Sequence, residues 1–379
     1  MRIVVVHSFY SASQPSGENR VVDDQVGALQ EAGHEVHLVR QDTDHQSNVL
    51  YPIATAIRVA TGTGFNPMKQ LRALQPDIVH LHNLFPNFAT NWTSEWQGPL
   101  VVSVHNYRSI CSNGMFFRDG NICVKCSSGN TWPAVIHGCY RDSHLASMPV
   151  AMSRARDRRN VLERADAVVT TSNFSDHVIK RYLKNTIDTN VIPNFGADGL
   201  RDRSKLASTE QWLALGRFSP EKGFLELVRD WPPDERLLLI GDGPLREDIV
   251  RNASEKPIDV LGSVSREQMR TLMEGSLGLV FPSRWFEVDP QVVVEAMRVG
   301  LPVVALDGNA VSQVVSRTGA GSVYTDASSL ASALRSVRDS RTSMSRAALA
   351  EYERNWTKDV WLARIEALYS QLLAKDDAS

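Results

Sequence analysis

Short, evenly apolar runs recur along this chain, and they limit its fold more than any other feature. The first half carries RIVVV after Met1, then IVHLH, LVVSV and AVVT; the second carries WLAL, LLLI, IDVL, LGLVF, LPVVA and GSVY. Runs of this kind fit strands buried on both faces, as in a parallel sheet. The stretches between them hold helices or turns, which makes the class α/β. At 379 residues the chain exceeds one ordinary core, so two domains are expected, each with a parallel sheet. No short-period repeat is present, which excludes a solenoid.

Composition narrows the partners. The 41 basic and 43 acidic residues leave a formal charge of −2, so nucleic acid is not an implied partner. Hydrophobic residues make up 42% and charged ones 22%, as in an ordinary soluble globular protein. No apolar run is long enough to span a bilayer, and the N-terminus leads directly into a strand without signal-peptide architecture, so a cytoplasmic location is expected. Between Arg154 and Arg164 lie five arginines, offset by Asp157 and Glu163. They read as a solvated helix face or as a basic patch for an anionic membrane or a charged acceptor.

The stretch Phe281 to Leu306, FPSRWFEVDPQVVVEAMRVGLPVVAL, reads as strand, loop, helix, turn and strand. Gly300 closes the helix, a strand resumes at Pro302, and the unit is one right-handed crossover. Asp289 and Pro290 form a cap and first-turn pair, which puts Glu287 in the loop and Glu295 past the first turn. In open α/β sheets ligands bind at the carboxyl ends of strands, and a helix N-terminus offers amides to an anion. Other strand ends carry suggestive residues. A loop with Pro15, Ser16, Gly17 and Glu18 follows the first strand; His82 and His105 end two others. Arg217 and Lys222, flanked by glycines, follow the first strand of the second half, and two such cations suit a diphosphate.

The pattern Glu287, Glu295, Ala296-Met297, Gly300 and PVVA resembles the signature of retaining glycosyltransferases of family 4, which have the GT-B fold. His105-Asn106-Tyr107-Arg108, Gly216-Arg217 with Lys222, and Gly241-Asp242-Gly243-Pro244 resemble further elements of that family and occur in its order. The resemblance covers nearly the whole chain. It implies two Rossmann-like domains facing across a donor cleft: residues 1–196 as the acceptor domain, 197–356 as the sugar-nucleotide domain, and a helix over 357–379 crossing back to the first. The polar stretch Ala197 to Glu210 is the expected linker. Arg217, Lys222 and the helix start at Pro290, Gln291 and Val292 are expected on the donor diphosphate, and Glu295 on the ribose. Gly241 and Gly262 are expected near the nucleotide, and Gly17 against phosphate or sugar. Glu287 and His105 are the expected catalytic contacts to the transferred sugar, with Asn106 behind His105 and His82 structural or facing the acceptor.

The chemistry implied needs no metal cofactor. The acceptor would be a glycan, a lipid-linked sugar or a small-molecule hydroxyl, in cell-surface polysaccharide or glycoconjugate synthesis, with peripheral contact at the inner membrane surface. A GT-B sugar-nucleotide epimerase or hydrolase and a non-catalytic sugar-nucleotide binder are the alternatives. A nicotinamide-dependent dehydrogenase is disfavoured, because no Gly-x-Gly-x-x-Gly follows the first strand. One departure from the family is Asp289, where an acid capping the helix would compete with phosphate for the same amides.

All four cysteines, Cys111, Cys123, Cys126 and Cys139, fall in one insertion after His105. That segment is rich in Gly, Asn and Ser and is expected to bury little apolar surface, so another source of order is needed. A structural zinc on four thiolates would supply it. Reduced thiols, a redox-sensitive pair or an iron–sulfur cluster are the other readings.

Overall fold

The computed structural model describes residues 1–11, 17–44, 50–183, 187–196 and 209–376. Pro15, Ser16 and most of the expected linker lie outside these. The chain divides into two compact units, one of Met1–Phe116, Cys123–Asn194 and Trp361–Ser379, the other of Phe117–Ile122 and Phe195–Val360.

A two-strand hairpin, β5 (Phe117–Arg118) and β6 (Asn121–Ile122), falls to the second unit, and the strands of the first are β1 (Arg2–Phe9), β2 (Glu35–Asp42), β3 (Ile78–Asn83), β4 (Leu100–Val104), β7 (Ala167–Thr170) and β8 (Thr189–Val191). They form a six-stranded sheet in the order β2-β1-β3-β4-β7-β8, and every pairing is parallel. Both faces of β1, β3 and β4 are buried, which is why their runs lack polar alternation. The helices are α1 (Gly17–Glu31), α2 (Tyr51–Thr61), α3 (Met68–Leu74), α4 (Trp132–Ile136), α5 (His144–Asp157) and α6 (Asn173–Tyr182). Helix α1 begins at Gly17, a turn earlier than the apolar periodicity from Val21 suggests.

The second unit has strands β9 (Gln211–Leu215), β10 (Arg236–Ile240), β11 (Ile258–Leu261), β12 (Leu279–Phe281), β13 (Val303–Leu306) and β14 (Gly321–Tyr324), in the order β11-β10-β9-β12-β13-β14. The order is that of a classic dinucleotide-binding sheet, 3-2-1-4-5-6. Its helices are α7 (Phe224–Asp230), α8 (Arg246–Ala253), α9 (Arg266–Gly275), α10 (Gln291–Arg298), α11 (Ala310–Thr318) and α12 (Ala327–Asn355). Alternate residues feed two cores. Trp212, Leu237 and Leu239 enter one cluster with Leu227 and Ile249, while Leu213, Leu238 and Ile240 enter another with Val293 and Val315. A last helix, α13, covers Lys358–Asp376 and starts two residues after Trp356. Its Tyr369 is buried beneath β3, with the hydroxyl 2.7 Å from His80 Nδ1.

Candidate functional site

In the second unit the strand order reverses at β9, whose neighbours are β10 and β12. Such a switch point opens a crevice at the carboxyl ends of the two strands that diverge. Lys222 follows β9 and Glu287 follows β12, and the crevice brings them together: Lys222 Nζ lies 2.6 Å from Glu287 Oε1. Glycine chemistry makes that approach feasible. Gly223 ends the Pro220–Lys222 turn at φ +71°, and a Cβ there would run into the carbonyl oxygen of Pro282. Arg284 N donates to Glu221 O at 2.9 Å, which ties the two loops further. Glu287 is 3% exposed and also accepts from Ser283 Oγ at 2.6 Å. Lys222 Nζ lies 5.3 Å from the Trp285 ring centroid, within cation–π reach. A buried carboxylate is tolerated only when paired in this way.

Helix α10 starts at Gln291, with Pro290 as its N-cap and no side-chain cap bond. The cap position thus falls one residue later than Asp289, where the sequence placed it, and Asp289 Oδ2 lies 3.4 Å from Gln291 Nε2. Glu295 is half-buried inside α10, and Arg217 is exposed just past β9. Gly241 and Gly262 follow β10 and β11 directly. At Gly241 a Cβ would strike the Gly216 carbonyl oxygen, so packing alone requires glycine there; at Gly262 a Cβ would make only an ordinary contact, 3.9 Å from Arg246 Nη1.

In the first unit the switch point falls between β1 and β3. Four imidazoles gather beside it. His82 stacks on His80 at 4.4 Å and on His105 at 5.2 Å between ring centroids, and His7 meets it edge-on at 6.3 Å. His82 Nδ1 lies 2.9 Å from His105 Nε2, and His80 Nε2 lies 2.8 Å from Ser103 Oγ. His82 thus fixes the His105 ring through Nε2 and leaves Nδ1 as the other ring nitrogen of His105. Burial pushes His105 down to about 3, with His7 and His80 adding repulsion, so its imidazole is neutral at ordinary pH. It can hydrogen-bond a sugar hydroxyl but supplies no charge.

A second cluster was not foreseen. Glu18, one residue into α1, has its carboxyl hydrogen-bonded by Asn106 and Asn83, with Arg108 close enough to favour its charge. Its Oε1 is buried with no hydrogen-bond partner among the described residues. Asn83 Nδ2 donates to Tyr10 Oη at 2.8 Å, and Arg108 stacks 4.1 Å over the Phe85 ring. The only sequence signal was Glu18 beside Gly17 in a loop at a strand end. Gly17 itself is exposed, and a Cβ there would meet nothing, so no internal contact demands glycine.

Burial pushes the Glu18 carboxyl up to about 7, against the pull of Arg108 and Asn106. The folded chain then holds a proton that the unfolded chain releases near pH 4.5. The resulting destabilisation is absent below the unfolded value, grows as pH rises and is complete above about 7. We expect Glu18→Gln to raise the thermal midpoint at pH 8 and to raise it clearly less at pH 6, where the folded carboxyl still keeps most of its proton. An equal midpoint shift at both pH values would show that the carboxyl is not protonated in the fold.

The four cysteines do not form the expected zinc site. Among the described residues no group of three or more His, Cys, Asp or Glu could hold a metal ion, and none of the four cysteines is in a disulfide. The donor set does not fit, because Cys126 and Cys139 pack against Ala134, Val135 and Ala151 while Cys111 Sγ lies 3.0 Å from Asn113 Oδ1. The premise of a coreless insertion also fails. Ile110, Phe116, Phe117 and Ala134 are buried, and the rings of Tyr107 and Tyr182 each lie 5.2 Å from that of Phe116. Arg154, expected on a solvated face, is buried and donates to the carbonyls of Ile110 and Cys126. Aromatic packing and this guanidinium supply the order that a metal was expected to give.

Comparison with known proteins agrees with this architecture. A model of glycosyltransferase family 4 matches residues 15–195, and one of glycosyl transferases group 1 matches 209–339. The chain is 24% identical over 361 residues, 83% of each protein, to the teichuronic acid biosynthesis glycosyltransferase TuaC of Bacillus subtilis, itself described as putative. It is 31% identical over 127 residues to a sulfoquinovosyl transferase of Arabidopsis thaliana, a match spanning 32% of this chain and 25% of that protein. Among solved structures it resembles sucrose-phosphate synthase of Thermosynechococcus elongatus (TM-score 0.71, 16% identity, 99% of both chains). It also resembles HepE of Anabaena in complex with UDP (TM-score 0.59, 15% identity, 98% and 100% of the chains). At such identities the structural likeness is one of fold, and that fold is GT-B. Two family models that together take in most of the chain, each on the unit its sheet order suits, settle the membership: the chain belongs to the group 1 glycosyltransferases of family 4.

Proposed function

We propose that this glycosyltransferase transfers a sugar, a hexose in the first instance, from a nucleoside diphosphate to a hydroxyl of a glycan or lipid-linked acceptor. The proposed outcome is retention of anomeric configuration, and the proposed pathway is cell-surface polysaccharide synthesis on the cytoplasmic side of the membrane. The observation that carries this reading is the Lys222–Glu287 pair at the β9/β12 switch point, close in sequence to the start of α10. Lys222 and Arg217 would hold the diphosphate with the amides of Gln291 and Val292, and Glu295 would hold the ribose. Glu287, anchored by Lys222 and Ser283, would accept from the sugar hydroxyls, and His105 would donate or accept through Nδ1. During transfer the bond from the anomeric carbon to the phosphate oxygen breaks, and a bond to the acceptor oxygen forms on the same face. The acceptor proton passes to the departing phosphate, whose charge the cations stabilise. The teichuronic acid biosynthesis in which TuaC is named supports a polysaccharide acceptor, and the UDP bound by HepE makes UDP-sugars the first donors to test.

The test has two stages. A panel of UDP-, GDP- and ADP-sugars should include at least one that raises the thermal midpoint, since a ligand at 100 times its Kd stabilises by about 2.7 kcal/mol. With that donor, His105→Ala should lose turnover at nearly unchanged diphosphate affinity, because its contact is assigned to the sugar. Turnover persisting in His105→Ala would reduce that residue to a strand-end structural role. Silence across the whole panel would overturn the proposed donor class.

A further inference from the structure

Most of the large hydrophobic side chains that the fold leaves exposed lie on three neighbouring helices of the first unit. Helix α5 packs against both α2 and α4. On α5, Leu145, Met148 and Met152 are exposed at helical spacing i, i+3, i+7, opposite the buried face of Val150, Ala151 and Arg154. On α2 the same spacing recurs in Leu50, Ile53 and Ile57. On α4 Trp132 and Ile136 are 66% and 64% exposed. The helices are fixed to one another, since Arg156 of α5 donates to the α2 carbonyls of Val59 and Ala60, each at 2.6 Å. The surface is therefore preformed and needs no ligand to assemble it.

Charge identifies what covers it. From Asn121 to Asp157 at the end of α5 the acidic residues are Asp142 and Asp157, against Lys125, Arg141, Arg154 and Arg156; Arg154 is buried and Arg156 pairs with Asp157, which leaves Lys125 and Arg141 against Asp142 in a chain whose overall charge is −2. Lys125, Arg141 and Arg159 are exposed in the segments that flank α4 and α5. Helix α2 carries Arg58 and no acid. A second copy of this chain would bring two such positive faces together in an isologous contact, which like-charge repulsion opposes. Exposed Trp, Leu, Ile and Met beside basic residues match the headgroup boundary of a negatively charged bilayer. We propose that α2, α4 and α5 form a docking face that lays the first unit on an anionic phospholipid surface. The inference deepens the reading that the enzyme works beside a membrane, and it requires nothing of the donor site.

Flotation of the purified full chain with vesicles tests it. Vesicles of phosphatidylcholine with about 30% phosphatidylglycerol should carry the protein at least about tenfold more than phosphatidylcholine alone, and 0.5 M salt should abolish most of that difference. The double variant Leu145→Asp/Met152→Asp should lose about tenfold or more of the bound fraction, and Lys125→Glu/Arg141→Glu should lose the preference for phosphatidylglycerol. Both variants should keep the parent's thermal midpoint and its midpoint shift with donor, which separates failure here from failure of the glycosyl-transfer reading. Absence of flotation by the parent, or flotation retained in Leu145→Asp/Met152→Asp, overturns the proposal. So does a dimer in light scattering that this double variant dissolves, because the face would then be a self-interface.

Discussion

Lys222→Ala is expected to weaken both the second unit and its grip on a nucleoside diphosphate. Glu287 is buried and has two partners, Lys222 Nζ and Ser283 Oγ, both at 2.6 Å. Removing the ammonium leaves a buried carboxylate with one hydroxyl donor, and breaking a buried pair in this way costs about 3–5 kcal/mol. The Lys222 side chain is 25% exposed, so solvent screening puts the expected loss at the lower end, about 3 kcal/mol. Diphosphate affinity should fall by about one to two decades, the worth of a charged hydrogen bond of roughly 1.5–3 kcal/mol. Lys222→Met combined with Glu287→Gln separates the two effects. It removes both charges, so stability should return in large part while affinity does not. Calorimetry and urea unfolding of the parent, Lys222→Met, Glu287→Gln and the double variant complete the cycle. Unchanged diphosphate affinity in Lys222→Ala would move the donor site elsewhere, and unchanged stability would mean that the pair is not coupled.

That experiment also marks where sequence reading stops. Lys222 and Glu287 stand far apart in the chain, and the motifs assigned one to phosphate and the other to sugar as independent contacts. Only the strand order, with β9 beside β12, makes them one ion pair. The strands themselves were legible because buried parallel strands need unbroken apolar runs, and β1, β3, β4, β10 and β13 lie within or close to those runs. The insertion was misread for a physical reason. Its Gly, Asn and Ser content suggested weak packing, yet Phe116 and Phe117 are buried and Arg154 ties Ile110 to Cys126. An arginine amid helical charges looks solvated until the chain folds over it. The histidines carried a usable clue: His80 and His82 sit two apart in a strand and so share one face. Their companions His7 and His105 come from β1 and from the end of β4, the neighbours of β3 on either side.

Acidification should unfold the first unit well above the range where carboxylates usually protonate. Burial lowers His7 to about 4, His80 and His105 to about 3, and His82 well below its ordinary value, with repulsion among the rings adding to the effect on His82 and His105. Each imidazole is neutral in the fold and has an ordinary value of 6.5 in the unfolded chain. The unfolded state therefore binds more protons below that value, so stability is level above it and falls as pH drops. Four sites pull in this direction. Glu18 opposes them, since its carboxyl is protonated in the fold up to about 7 and ionised in the unfolded chain down to 4.5. The net difference near pH 5 is about three protons, which corresponds to roughly 4 kcal/mol per pH unit. A slope of that size consumes the whole stability of a typical domain, about 5–15 kcal/mol, within a few pH units. Urea unfolding between pH 7.5 and 5 should show the loss, and His80→Leu should flatten the slope by about one proton. Because His105 stays neutral throughout, activity lost on acidification should track the fraction unfolded and return on neutralisation. A midpoint that stays flat from pH 7.5 to 5 would mean that the imidazoles take up protons inside the fold, and the neutral hydrogen-bonding role given to His105 would fall with it.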